Sequence, residues 1–211
     1  MFNYQRFFKI IFRYFPSYIR NVHYRRVVKK WDNNGRSVPP PHIVKELVVE
    51  EYKKRYGCRI LIETGTFKGD MIYAEKDFFD KIYSIELDDF LFRKAVKKFK
   101  KYSHITILQG DSGIVLCEVV SKLDEAALFW LDGHYSGGIT TKGEKECPIL
   151  EELKHIFESE YHHVTLIDDA RCFNGSRDYP TIGELTEYVE KNKPGYTIEV
   201  NDDIIRLVFT G

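Results

Sequence analysis

From Arg59 to the carboxyl terminus, short apolar runs alternate with stretches of helical periodicity. No other feature of the chain restricts its fold as strongly. Strands separated by helices must run parallel, and a parallel sheet is stable only when helices cover both of its faces. Strands are expected at Arg59–Ile62, Lys81–Glu86, Ile105–Gln109, Ala127–Leu131 and Val164–Ile167. Helices are expected over about 69–79, Phe90–Tyr102, Ile114–Lys122, about 148–159 and Thr181–Asn192. Tyr196–Asn201 and Ile204–Thr210 flank Asp202-Asp203 and read as a closing hairpin. The expected fold is α/β: a doubly wound, mostly parallel seven-stranded sheet with a C-terminal antiparallel hairpin.

Ahead of this pattern the chain has a different character. Residues 1–41 read as a basic, aromatic extension with helical stretches, and residues 42–211 as the α/β domain, opened by a helix over His42–Tyr56 behind Pro39-Pro40-Pro41. At 211 residues there is material for one well-buried domain and not for two full-sized ones. The formal net charge of zero conceals an asymmetry. Residues 1–31 carry Arg6, Lys9, Arg13, Arg20, Arg25, Arg26, Lys29 and Lys30 with no Asp or Glu, so the remainder is net acidic. On an ideal helix Arg6, Lys9, Arg13 and Arg20 fall within about a 60° arc, opposite Phe7, Ile11, Tyr14 and Tyr18, with Pro16 dividing or kinking that helix. Such a segment suits peripheral contact with an anionic membrane, contact with a second copy of the chain, or packing on its own domain. Nucleic acid is not an expected partner, because only this short stretch is basic and no recognition motif accompanies it. Cys58, Cys117, Cys147 and Cys172 form no CxxC pair, which speaks for reduced thiols in place of zinc or disulfides. No apolar run approaches the roughly 20 residues of a membrane span. Lys9 and Arg13 interrupt the N-terminal apolar stretch as a signal peptide. The expected location is cytoplasmic, with membrane association as an option.

Doubly wound sheets place their chemistry in the loops after the carboxyl ends of the strands. Those ends carry Glu63, Glu86, Asp111, Asp132 and the pair Asp168-Asp169. The first strand runs into Glu63-Thr64-Gly65-Thr66-Phe67-Lys68-Gly69, where Gly65 permits a sharp turn and Gly69 relieves crowding against the next helix. The dinucleotide-binding GxGxxG is absent, and so is the Gly-Lys-Ser/Thr of a P-loop. Glu86 follows Gly65 by 21 residues, at a place where a carboxylate can accept both hydroxyls of a ribose. An exposed charge ahead of a helix is the plainer reading. Asp111-Ser112 can contact an exocyclic amine or cap a helix.

In this order, Glu63-x-Gly65-x-x-x-Gly69, the acid Glu86, the Gly110-Asp111-Ser112 turn and Asp132 resemble the successive motifs of class I S-adenosylmethionine-dependent methyltransferases, and the similarity covers roughly residues 43–211. The resemblance implies a Rossmann-like methyltransferase fold and S-adenosylmethionine as cofactor. It places Glu63, Gly65, Thr66 and Gly69 at the methionine and ribose part, Glu86 on the ribose hydroxyls, and Asp111 with Ser112 at adenine. Asp132 closes the cofactor site.

The acceptor side is expected after strands four and five, in Asp132-Gly133-His134 and Asp168-Asp169-Ala170-Arg171. Three carboxylates converging without basic partners repel one another unless a cation is present, and oxygen ligands favour magnesium; alternatively, since adjacent side chains on an extended segment point opposite ways, one of Asp168 and Asp169 caps a helix or holds Arg171. This Asp-Gly and Asp-Asp pattern is similar to that of metal-dependent sugar O-methyltransferases of the macrocin O-methyltransferase type. The likeness implies that Asp132, Asp168 and Asp169 hold Mg2+, that Asp132 is catalytic, and that the acceptor is a small or carbohydrate-like hydroxyl compound; His134 is a candidate catalytic base near neutral pH or a metal ligand. His134 departs from that pattern, since those enzymes often carry another acid there. Residues 135–146 and Phe173–Pro180 read as loops walling the acceptor site. Two other classes remain open. One is a metal-dependent hydrolase built on Asp132, His134 and Asp168; the other is a non-catalytic binding module on the same fold.

Overall fold

The computed structural model describes residues 16–133 and 147–211. Two compact units divide the chain, Met1–Lys45 and Glu46–Gly211. In the first, helix α1 (Pro16–Asn33) begins at the proline, which suits a first helical position because the missing N–H would have no partner there. The kink expected at Pro16 involves residues before it, which lie outside the described ones. The Trp31 indole donates to the Ser37 carbonyl at 2.7 Å, and the Arg36 guanidinium stands 4.8 Å from the ring centre. Helix α2 (His42–Tyr56) occupies the expected range.

The second unit contains β1 (Ile60–Thr64), α3 (Asp70–Glu75), β2 (Lys81–Glu86), α4 (Asp89–Phe99), β3 (Ile105–Gln109), α5 (Ser112–Val120), β4 (Leu128–Leu131), α6 (Ile149–Phe157) and β5 (Val164–Ile167). A 3-10 turn at Ala170–Cys172, helix α7 (Ile182–Asn192) and the strands β6 (Tyr196–Asn201) and β7 (Ile204–Phe209) follow. All seven strands form one sheet in the order β3-β2-β1-β4-β5-β7-β6. The first five are parallel, and β7 is antiparallel to both β5 and β6. The expected α/β architecture is therefore present. Its strand order reverses direction between β1 and β4, where such sheets open a crevice for ligands.

Period-two alternation divides the core between the two faces. Ile60, Ile62, Ile85, Phe129, Leu131 and Ile167 point to the side covered by Leu116, Leu153, Ile156, Leu185 and Val189 from α5, α6 and α7. Leu61, Ile82, Leu128, Trp130 and Leu166 point to the other, under Val48, Val49 and Tyr52 of α2, Ile72 of α3 and Phe99 of α4. The closing turn is read correctly from sequence. Asp202 and Asp203 both take positive φ, at 52° and 62°, as a two-residue hairpin with the twist of its strands requires.

Several boundaries differ from expectation for physical reasons. β1 extends through Glu63 and Thr64 because both residues pair with β2 and β4. Helix α3 stops at Glu75, well short of residue 79, and Phe78 turns back to the Glu75 carbonyl so that Phe79 is buried. Helix α5 begins earlier than expected, at Ser112, because Asp111 caps it. Thr181 is the N-cap of α7 and not part of it, in a capping box with Glu184. The four cysteines are free thiols. Among the described residues no helix is long and apolar enough to cross a membrane.

His163 shows how far the interior of this sheet controls ionisation. Its Nδ1 accepts from the Ala127 amide at 3.0 Å, Nε2 lies 2.9 Å from Ser159 Oγ, and the ring meets Phe129 edge-on. Burial, reinforced by the charges of Lys193 and His162, pushes the imidazole pKa down to about 4. The fold thus holds the neutral ring, and the unfolded chain takes up a proton first. Stability from this group is complete above about pH 6.5 and is lost as the pH falls through about 4. That loss is expected to approach about 3 kcal/mol. In chemical unfolding between pH 7.5 and 4, His163→Gln should be the less stable protein at pH 7.5 yet show a shallower decline with acid; parallel curves would contradict this account.

Candidate functional site

The carboxyl ends of β1 and β4 meet at unusually close range. The Asp132 amide donates to the Thr64 carbonyl at 3.1 Å, and Gly65 turns away with φ of 83°. A Cβ at residue 65 would lie 2.3 Å from the Asp132 carbonyl oxygen. Glycine is thus required twice over, by conformation and by space. Gly69 performs the role expected of it: a Cβ there would lie 2.6 Å from the Phe99 ring. Lys98 of α4 secures the same turn by donating to the Lys68 and Gly69 carbonyls.

Glu86, buried at the end of β2, faces this turn. Its Oε2 accepts from the Phe67 amide at 2.7 Å and its Oε1 from the Asp88 amide at 2.9 Å. Phe67 is held at φ of 47°, a conformation that a bulky residue adopts only at a cost of order 1–3 kcal/mol unless its surroundings impose it. The Glu86 carboxylate imposes it here. The acid that the sequence assigns to ribose thus braces the glycine turn, with two backbone donors and room in its remaining lone pairs for further donors.

Glu63 departs from expectation. It lies inside β1 and is 2% exposed, so it does not stand at an open strand end. The Ser84 hydroxyl, opposite it in register, donates to Glu63 Oε2 at 2.5 Å, and Thr66 Oγ1 lies 2.6 Å from Ser84 Oγ. Burial pushes the Glu63 carboxyl up to about 8, opposed by the Ser84 hydrogen bond and reinforced by the Glu86 charge. Thr66, assigned to the cofactor from sequence, ends this buried chain of hydroxyls. Ser84 was not anticipated, although period-two alternation places it on one face with Ile82 and Glu86.

Asp111 caps α5, its Oδ1 accepting from the Gly113 amide at 2.9 Å. This is the structural alternative foreseen for it. Ser112 is buried behind it, close to a second unanticipated acid, Glu152 of α6, which is 0% exposed. A sequence signal for Glu152 exists. Ile149, Glu152, Leu153, Ile156 and Phe157 are the buried residues of α6 and follow the i, i+3, i+4, i+7 spacing of an apolar stripe.

On the acceptor side, Asp132 is half-buried at the end of β4, and the Asp168 amide donates to the Leu131 carbonyl, so the ends of β1, β4 and β5 lie side by side. Asp168 is fully buried and accepts from the Asp169 amide at 2.8 Å. Asp169, with φ of 56°, accepts from Arg171 Nη1 at 2.8 Å. That guanidinium also pairs with Asp203 of the hairpin turn, whose Oδ1 accepts from the Arg171 amide. A guanidinium bound to a would-be metal ligand does not fit the expected Mg2+ triad. Among the described residues no three His, Cys, Asp or Glu side chains gather as metal ligands. His134 and the loop 135–146 lie outside the described residues. Phe173–Pro180 does border a groove of about 440 Å³, lined by Leu150, Gly175, Asp178, Tyr179, Pro180, Glu184 and Tyr188. Burial pushes the Tyr179 hydroxyl upward, with the charges of Cys147, Cys172, Asp169 and Asp132 adding to it.

No protein-family model matches the chain. No curated protein sequence matches it either. Solved structures do. SAH-bound methyltransferase PaMTH1 from Podospora anserina superposes with a TM-score of 0.56 at 12% identity, over 91% of this chain and 88% of that one. The O-methyltransferase TomG from Streptomyces achromogenes, in complex with SAM, gives 0.56 at 13%, over 91% and 90%. An O-methyltransferase from Bacillus cereus, in complex with SAH, gives 0.54 at 12%, over 88% and 90%. This chain has the class I methyltransferase fold. At such identities the likeness concerns the fold, and chemistry must be argued from the side chains.

Two stability effects follow from the geometry. Gly65→Ala is expected to cost about 3 kcal/mol, seen as a lower urea midpoint with an unchanged slope. A raised carboxyl pKa contributes stability that is complete below about pH 4.5 and is lost as the pH rises through about 8. Glu63→Gln should therefore melt roughly 5 °C or more above the parent at pH 9 and close to it at pH 5. Equal melting temperatures at both pH values would refute burial of an ionisable Glu63.

Proposed function

We propose that this chain is an S-adenosylmethionine-dependent methyltransferase that methylates a hydroxyl oxygen on a small or carbohydrate-like acceptor. The observation that carries the reading is the Glu86 carboxylate bonded to the Phe67 amide of the Gly65 turn, beside the crevice where the strand order reverses. The fold supports it, since the SAM- and SAH-bound structures it matches are methyltransferases. The residues also fit the cofactor: Thr64 Oγ1 and both carboxylate oxygens of Glu152 are buried at this crevice without hydrogen-bond partners.

The sulfonium supplies an activated methyl group, so the protein's work is alignment and deprotonation. Glu86 receives the ribose hydroxyls on the lone pairs that Phe67 and Asp88 leave open. Asp111 and Ser112, at the start of α5, border the adenine. Gly65 brings the turn against β4, which sets the distance between cofactor and acceptor. The acceptor hydroxyl would stand beside Asp132, whose carboxylate would take its proton, while the bound sulfonium would supply the methyl group, its C–S bond breaking with the electron pair left on the thioether sulfur of S-adenosylhomocysteine. The groove along Tyr179, Pro180 and Tyr188 offers aromatic faces and the acids Asp178 and Glu184 to the rest of the acceptor, a lining suited to a polyhydroxylated ring. No step requires Mg2+, whose expected ligands Asp168 and Asp169 are engaged by the Asp169 amide and by Arg171. The hydrolase reading, built on Asp132, His134 and Asp168, would leave Glu86 and the glycine turn a structural role alone.

Calorimetry on the full chain tests this. S-adenosylmethionine should bind at micromolar concentration, and Glu86→Ala should weaken it by about 100-fold or more through loss of a charged hydrogen-bond acceptor. With an accepted substrate, mass spectrometry should show one added methyl on oxygen, in the presence of a chelator as in its absence. Absence of binding to both S-adenosylmethionine and S-adenosylhomocysteine would end the proposal.

A further inference from the structure

The first turn of α6 carries two acids with different surroundings. Glu151 is half-buried, where a carboxylate complements the helix dipole. Glu152 is entirely buried on the apolar stripe, which the dipole alone does not explain. Its carboxylate is directed at the crevice between β1 and β4: Oε1 lies 3.3 Å from where a Cβ on Gly133 would stand, and the Thr64 hydroxyl borders the same point at 3.1 Å. The Ser112 and Thr64 hydroxyls are near enough to favour the ionised form, but neither carboxylate oxygen has an aligned hydrogen-bond partner. Thr64 Oγ1 has none either. The charged groups acting on Glu152, Asp111 and Glu151, are themselves acidic. Burying a carboxylate without a partner costs several kcal/mol, and folds retain such groups where a ligand completes them.

The geometry points to a specific ligand group. Two carboxylate oxygens and one hydroxyl oxygen, all buried and without an aligned hydrogen-bond partner, lie together behind Gly133 where β1 meets β4. A primary ammonium has three N–H donors and a positive charge, matching them in number and in sign. A sulfonium offers charge but no donor. We propose that Glu152, with Thr64, receives the ammonium of the amino-acid end of the cofactor. This rests on the methyltransferase reading and adds a residue that the glycine turn and Glu86 do not supply.

The test compares three ligands by calorimetry on the full chain. S-adenosylmethionine and S-adenosylhomocysteine both carry the ammonium, whereas 5′-methylthioadenosine keeps the nucleoside and lacks the amino-acid end. Glu152→Gln should weaken the first two by about 10- to 100-fold and leave the third within about twofold. Its thermal unfolding at neutral pH should match or exceed the parent's, since the amide removes a buried charge. Equal affinities for all three ligands in parent and variant would overturn the inference and leave the methyltransferase reading standing. An equal loss for all three, methylthioadenosine included, would show a structural role and overturn it as well. If the parent binds none of the three, both fall. Should Glu152→Gln fail to fold, Glu152→Asp decides the matter. It keeps the charge on a shorter stem and should lose affinity for S-adenosylhomocysteine, with none lost for methylthioadenosine; any other pattern rejects the assignment.

Discussion

The approach of β1 to β4 at Gly65 governs the rest of the molecule. With the Asp132 carbonyl oxygen 2.3 Å from where a Cβ would be, the two strand ends can lie together only around a glycine. Their contact lies where the sheet reverses its order, with Glu86 holding the Phe67 amide of the turn and Thr64 and Glu152 meeting at Gly133. A larger residue at 65 would separate Thr64 from Gly133, and the acids on either face would lose their common focus. Fold and site therefore share one steric condition.

The acids around that point are held against the preference of carboxylates for water. Glu63 lies on one face of β1 and Glu152 reaches the other, each fully desolvated, with burial pushing them up to about 8 and about 7. They are supported differently. Glu63 is served by Ser84, and through it by Thr66, so it is an internal tie between β1 and β2. Glu152 has the Ser112 and Thr64 hydroxyls nearby, but neither is aligned as a hydrogen bond. Where two buried acids flank one crevice and only one is satisfied by the chain, the unsatisfied one is the better ligand group, because the cost of its burial is recovered only on binding.

Much of this was legible in the sequence because it rests on local pattern. Alternation and punctuation located β2, β3, β5 and β6 to the residue, and the Asp202-Asp203 turn announced the hairpin. The spacing of Glu86 from Gly65 anticipated that the two would meet, since a βαβ unit of ordinary length returns the chain to the neighbouring strand. What escaped depends on burial and on contacts distant in sequence. Glu63 looked like a residue at an open strand end because its pairing to β2 and β4 is set by both neighbours at once. Glu151 and Glu152 look alike as first-turn acids, and only the packing of α6 on the sheet separates them. Asp203 was read as a turn residue; its bond to Arg171, 32 positions away, joins segments that the sheet order alone brings together.

That last contact also determines how the acids after β5 are balanced. The acids after β5 suggested a cation site because nothing nearby in sequence, apart from Arg171, could neutralise them. The hairpin turn supplies a third carboxylate, Asp203, and Arg171 is shared between it and Asp169. Asp169 holds Arg171, the alternative expected for one of the pair, and the Asp168 carboxylate accepts from its neighbour's amide. The turn of β6–β7 consequently acts as a brace on the loop after β5, which fixes the wall of the groove at Tyr179. Of the three acids expected to converge there, Asp168 is fully buried, Asp169 is partly exposed but paired with Arg171, and Asp132 is partly exposed where β4 meets the Gly65 turn. On the function proposed above, proton transfer from the acceptor hydroxyl is therefore assigned to Asp132, and recognition of the rest of the acceptor to the aromatic groove at Tyr179 and Tyr188.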